Sequence, residues 1–193
     1  MKLVEKIQNL IPIGYLFLVV MGILKESVFF YQLKINILKY STIMDILISP
    51  VADLTSNPIL LLFFILFTFF TLLLLIYSYH NRHESWIKQV FTIKENELSN
   101  EVLKSKLTKV FLLIISIGLM SFFLGLGIGG GFKIAKKIRE NKLDYKQKLT
   151  FNTGETENIF LIDVNSAYYF YLTPKSNSVK IAPIGAIKNI ELN

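Results

Sequence analysis

Few residues in this chain combine a type and a spacing that chemistry could use. His80 and His83, followed by Glu84 in the run HNRHE, stand three apart and share one face of a helix. Two imidazoles and a carboxylate begin a metal site, but no third certain ligand accompanies the histidines. Polar residues closing a membrane helix account for them better, because His and Arg suit the partial negative charge of a helix C-terminus. Gly125-Leu-Gly127-Ile-Gly129-Gly130 matches the dinucleotide fingerprint in form, with Asp144 downstream. That fingerprint needs a strand before it and an accessible helix start after it, whereas a run of apolar residues from Val110 leads into this one. Tyr168-Tyr169-Phe170-Tyr171 offers rings of the kind that stack on bases in RNA-binding sheets. Strand alternation sends two of the four to the core and two to the surface, which is ordinary β composition. No cysteine is present, which removes disulfides, thiolate metal ligands and thiol nucleophiles. No Ser–His–acid set, phosphate loop or carboxylate pair appears. The chain reads as a protein without a catalytic constellation, metal or cofactor.

The elements that would position any site are membrane elements. Of 193 residues 52% are hydrophobic, and they fall in blocks from which charge is excluded. Ile59–Tyr79 is uncharged for 21 residues, which as helix reaches about 32 Å, enough for a hydrocarbon core of about 30 Å. Asn57-Pro58 supplies a cap and first-turn residue. Tyr77, Tyr79 and Trp86 would anchor this span at head-group level. Val110–Phe132 is a second such block, and Leu103, Leu107 and Val110 on one face extend it back towards Ser99. Leu10–Leu24 is short for a span; extension to Phe30 takes in Lys25 and Glu26, which would pair or snorkel. The N-terminus carries Glu5 beside Lys2 and Lys6 and no small-residue cleavage site follows, so an uncleaved helix is expected. Between the first two spans, Leu33, Ile35 and Ile37 alternate with polar residues as a short strand would, and Ser41 would cap a helix ending before Pro50.

The C-terminal part changes character. KLTFNTG, NIFLIDV, AYYFYLT, SVKIA and IKNIEL are five β-rich runs separated by turn residues. The expected fold is thus a membrane all-α bundle of two to three transmembrane helices plus a small C-terminal all-β module, SH3-like or Sm-like. Residues 1–148 form the transmembrane domain, with helices at about 10–30, 59–79 and 99–132 and an interfacial basic helix over 133–147. Residues 149–193 form the β module, whose small core is expected to lean on the helices or on other copies.

Charge sets the orientation. The net charge is +7, yet the β tail from Leu149 carries three Lys against four acids. The positive excess sits at 133–148, where seven basic residues outweigh Glu140 and Asp144. Lys133, Lys136, Lys137, Arg139 and Lys142 would contact anionic lipid, and Ile134, Ala135, Ile138 and Tyr145 would form the buried face of that interfacial helix. Positive-inside bookkeeping then places this cluster and the β module in the cytoplasm of a multi-pass inner-membrane protein.

Small residues mark the third helix. Ser121, Gly125 and Gly129 recur every fourth position, and Gly127 with Gly131 forms a second such pair. Such ridges let helix backbones approach where lipid offers no hydrophobic driving force, either within the bundle, between copies, or as a pore-facing hinge. The run Ser121-Phe-Phe-Leu-Gly125-Leu-Gly127-Ile-Gly129-Gly130-Gly131, then Val179–Ile190, resembles the core of small-conductance mechanosensitive channels. The resemblance implies a pore-lining third helix kinked at Gly and a cytoplasmic Sm-like domain, although Phe122, Phe123 and Leu124 stand where that family alternates Gly with Ala.

Two functions are therefore expected to compete. One is a membrane anchor for a cytoplasmic β module that senses, regulates or assembles a complex. The other is a homo-oligomeric pore or mechanosensitive-like channel subunit. Partners would be anionic lipid and a second copy or another protein, not nucleic acid.

Overall fold

A computed structural model describes residues 2–90, 100–174 and 176–192. Five helices precede five strands: α1 Lys2–Tyr31, α2 Ile43–Ser56, α3 Pro58–His80, α4 Ser85–Val90, α5 Asn100–Arg139, then β1 Gln147–Phe151, β2 Thr156–Val164, β3 Tyr168–Thr173, β4 Ser176–Pro183 and β5 Ile187–Glu191. Three of the helices, α1, α3 and α5, are long and apolar enough to cross a membrane. The chain divides into two compact units, residues 1–51 with 123–193, and residues 52–122.

The second unit is a hairpin of α3 and the first half of α5. Asn57 caps α3 through Oδ1, which accepts from the amides of Ile59 and Leu60 at 3.1 and 3.4 Å. Leu75 and Tyr79 near the end of α3 pack on Leu103, Leu107 and Phe111 near the start of α5, with Ile87 of α4 closing the cluster. Further along, Gly118 receives the ring of Phe67, so the two helices run antiparallel. The exposure of α3 is inverted relative to a water-soluble helix. Its buried positions are Thr71 and Ser78, while Ile59, Phe63, Phe70 and Ile76 are each at least 60% exposed. The Thr68 and Thr71 hydroxyls turn back to the carbonyls of Phe64 and Phe67, so no side-chain donor there faces outward. Such a surface suits hydrocarbon, which leaves apolar side chains outside and demands that polar groups be satisfied within.

In the first unit, α1 and the second half of α5 touch backbone to backbone. A Cβ built at Gly127 would overlap the carbonyl oxygen of Lys25, and one at Gly131 would overlap that of Phe29. The contacts repeat at a four-residue interval on both helices, as a small-xxx-small crossing requires. Gln32 adds a bond from Nε2 to the Ile128 carbonyl at 2.8 Å. On another part of α1, Gly22 admits the Ile46 carbonyl of α2. Pro50 has no N–H to give that carbonyl, so the atom that α2 leaves without its helical donor is the one resting on Gly22.

Both α1 and α5 end in left-handed residues, Lys34 at φ 61° and Asn141 at φ 50°. The bonding is that of Schellman motifs: Ile35 and Lys34 donate to Phe30 and Tyr31, and Lys142 and Asn141 donate to Lys137 and Ile138. The sheet is antiparallel throughout, in the order β4-β3-β2-β1-β5. Register shifts in the β1–β5, β2–β3 and β3–β4 pairs and a 3-10 turn at Ile184–Ala186 bend it. One face carries Leu149, Ile159, Tyr171 and Ala182 as a core of its own. The other presents Phe170, which packs with Phe30, Leu33 and Ile37.

Three expectations are corrected. The segment Leu33–Ile37 is not a strand: the Lys34 turn brings Leu33 and Ile37 into the same buried cluster, and a 3-10 turn follows at Ile37–Lys39. Thr42 rather than Ser41 caps α2, which runs through Pro50 to Ser56. The basic stretch is not a separate interfacial helix: Lys133–Arg139 is the end of α5, and residues 142–146 are outside any helix. Its apolar face of Ile134, Ala135 and Ile138 is taken by α1 and the sheet instead of lipid. Ser99, the proposed start of the third helix, lies outside the described residues, as do the neighbouring residues from 91.

The two glycine sets predict opposite responses. Gly131→Leu should destabilise the detergent-solubilised protein by about 1–3 kcal/mol or more, as overpacking at a closed contact does. Gly125→Ala and Gly129→Ala, where a Cβ meets nothing within 4 Å, should be neutral or gain up to about 1 kcal/mol from helix propensity. Thermal unfolding of the three variants in one detergent checks this.

Candidate functional site

The described residues converge most at the place where α1, α2 and the sheet meet. Lys25 and Glu26, adjacent on α1, are both 9% exposed although they lie in a membrane-length segment. The Lys25 ammonium donates to Glu26 Oε1 at 2.8 Å and to Ser49 Oγ of α2 at 2.6 Å. The Ser49 hydroxyl in turn donates to Glu26 Oε1, closing a three-membered ring of bonds. Consecutive residues on a helix point about 100° apart, so long side chains must curl towards each other to pair. Ser49 makes that possible by offering one acceptor and one donor at the midpoint. An ion pair in such a place neutralises itself and joins α1 to α2; its separation into single charges would be costly.

A second polar knot ties α2 to the sheet. Thr42 and Asp45 form a reciprocal capping pair, Thr42 Oγ1 accepting from the Asp45 amide and Asp45 Oδ2 accepting from the Thr42 amide and hydroxyl. Asp45 also accepts from the Ser166 amide at 3.0 Å and its hydroxyl at 2.9 Å, in the β2–β3 turn. Asn165 beside it donates to the Tyr40 carbonyl and Ser41 Oγ, while its own Oδ1 accepts from Ala167 and Tyr168. Partial burial acts to raise the Asp45 carboxyl, but the hydrogen bonds from Thr42 and Ser166 outweigh it, and the group is held below its ordinary value of 3.8. Apolar packing completes the junction: Phe30 meets Phe170 at 5.0 Å between ring centres, and Tyr40 lies edge-on to Tyr168 at 5.6 Å.

The residues singled out in the sequence separate into groups. Gly127 and Gly131 are buried against α1, whereas Ser121 is exposed and Gly125 and Gly129 face open space. Lys133, Lys136, Arg139 and Lys142 are exposed at the end of α5, and Lys137 is half-buried. Glu140 accepts from Lys142 at 2.8 Å and sits 3.9 Å from Lys136, so part of the basic density is compensated locally. Tyr77 is exposed, consistent with an outward ring, but Tyr79 packs on the α5 cluster with the Arg82 guanidinium 5.5 Å from its ring centre. Trp86 has no described side chain. Of the aromatic run, Tyr168 and Phe170 pack with the helix ends and Tyr169 and Tyr171 with the sheet's other core, so the outward pair expected on the surface is taken up in packing.

The sequence marks Lys25 and Glu26 as a possible pair, Asn165-Ser166 only as turn residues and Ser49 only as a helix end, and nothing in it singles out Asp45. Two charges inside an apolar block were the available signal for the first knot. The second is set by residues about 120 apart in the chain, whose polar side chains look like any turn and cap.

Both knots can be tested. Glu26→Leu, which strands the buried ammonium, should cost about 3–5 kcal/mol, while the double change Lys25→Met with Glu26→Leu should recover most of it. For Asp45 the folded state depresses the pKa, so its contribution is complete above 3.8 and fades as pH falls through the lower folded value. Thermal stability should therefore drop in that acid window in the wild type, and Asp45→Asn should be less stable at neutral pH with a flatter acid profile. No family model, curated protein or solved structure matches the chain.

Proposed function

We propose that this chain is an integral membrane protein that holds a small SH3-like barrel rigidly at the ends of two membrane helices, for regulation or assembly of a complex. The observation that carries the reading is the docking of the β2–β3 turn and Phe170 onto the end of α1 and the start of α2, through Asp45, Asn165 and Phe30. A module tethered merely for localisation would need a linker, not a matched polar and aromatic interface. The sheet order, the bend of β2 across two cores and the 3-10 turn before β5 support the barrel assignment. Three spans would put the start of α1 and residues 81–90 on one side and the β module on the other. The basic end of α5 favours the cytoplasm of an inner membrane for the module.

A second reading has its own support. The Ser121, Gly125 and Gly129 ridge is left open after Gly127 and Gly131 have been used within the chain. It is the surface a homo-oligomeric channel would present to its axis or its neighbour. Against an ion-coupled transport path, α3 carries no Asp, Glu, Lys or Arg.

Native mass spectrometry of the purified chain, co-expressed with its genomic neighbours, separates the two. The regulatory reading expects a defined hetero-complex that is lost with Phe170→Ala, a change that keeps the spans but loosens the module. A closed homo-oligomer passing current in planar bilayers would replace this reading with the channel. An unchanged cellular phenotype after removal of residues 147–193 would sink it outright.

A further inference from the structure

A cleft of about 700 Å³ lies between the C-terminal turn of α1, the last turns of α5 and the start of β4. Its walls are apolar at Ile35, Phe132 and Val179, and its charged lining residues are Lys34 and Arg139. No carboxylate lines it. Among the described residues neither cation has an ion-pair partner; Arg139 lies 5.9 Å from the Phe132 ring centre. This differs from the neighbouring Lys136 and Lys142, which share Glu140. The carbonyls of Phe30 and Tyr31 at the α1 terminus are already satisfied, accepting from Leu33, Lys34 and Ile35. The negative end of that helix therefore does not oppose an anion as strongly as an uncapped terminus would. Lys34 itself occupies a left-handed conformation at φ 61°, which glycine or asparagine would adopt more readily.

Depth decides the ligand. The membrane-length apolar run of α1 ends at Tyr31 and that of α5 at Phe132, with the basic turns to Arg139 following it, so the two cations would stand at head-group level. Phe132 is 54% exposed and lies two helical turns further into the apolar segment than Arg139. An anion between Lys34 and Arg139 would have an apolar track leading away from it along Phe132. We infer that this cleft binds one acidic phospholipid, its phosphate-bearing head group held by Lys34 and Arg139 and an acyl chain laid on Phe132. The site goes beyond the diffuse basic belt, because it includes Lys34 from a distant part of the chain and excludes Lys133. Occupied, it would brace the α1 and α5 ends on which the sheet rests, independently of any protein that the module engages.

The full-length protein in nanodiscs of phosphatidylcholine with a minor fraction of phosphatidylglycerol, released into native mass spectrometry, tests this. The wild type should retain one phosphatidylglycerol in at least tenfold preference to phosphatidylcholine. Lys34→Gln with Arg139→Gln should abolish the preference, and Lys133→Gln with Lys136→Gln, the same loss of charge outside the cleft, should keep it. Ser178→Trp, which fills the cleft and leaves both cations, should also lower retention at least fivefold. Equal retention by the first pair and the wild type would overturn the inference, as would loss with the Lys133 and Lys136 pair alone. Displacement of the bound lipid by millimolar inorganic phosphate would equally overturn it, since a phosphate site without an acyl track would then suffice.

Discussion

The backbone contact of α1 with α5 governs most of what surrounds it. In hydrocarbon, helices gain little by hiding apolar side chains from lipid, so close packing and polar bonds must hold them together. Gly127 and Gly131 allow that by removing the atoms that would keep α5 away from the Lys25 and Phe29 carbonyls. Once the two helices are fixed at that distance their C-terminal turns lie side by side, with Phe30 and Leu33 of one near Ile134, Ala135 and Ile138 of the other. That apolar platform is what Phe170 rests on. A β module with only five short strands has too little core for much independent stability. Here each of its faces has a partner, its own second core on one side and the helix ends on the other.

Polar interactions then give the junction its uniqueness. Apolar contacts among Phe, Ile and Leu tolerate sliding, whereas hydrogen-bonded pairs have one register. The Lys25–Glu26–Ser49 ring sets α2 on α1, and the Asp45–Ser166 and Asn165–Tyr40 bonds set the sheet on α2. Each of these groups would be expensive in the membrane or its boundary without its partner, so errors of register are penalised twice, by lost bonds and by stranded charge. The sheet is thus joined to α2 and to the α1 end by direct bonds and packing as well as through the chain.

Much was legible in the residue order. Uncharged blocks of membrane length name their helices directly, because a lone backbone in hydrocarbon has no alternative way to satisfy its amides. The five β-rich runs and their turn residues likewise mark five strands with boundaries close to those observed. Short-range signals failed where long-range packing overrode them. Alternation at Leu33–Ile37 suggested a strand, yet both end residues turn to one buried cluster. The amphipathic look of Ile134, Ala135 and Ile138 suggested a lipid surface, yet the partner is protein. Pro50 suggested a helix end, yet α2 passes through it because the carbonyl it leaves unbonded sits on Gly22.

The sequence alone thus determined which segments form helices long and apolar enough to cross a membrane and which form a sheet, since hydropathy and turn chemistry act locally along the chain. Tertiary structure decided which of two interleaved glycine ridges is consumed within the chain. It also decided that Lys25 and Glu26 face Ser49, and that Lys34 shares a cleft with Arg139. Those outcomes depend on which helix faces meet, and a helix carries the same ridges whatever neighbour it has.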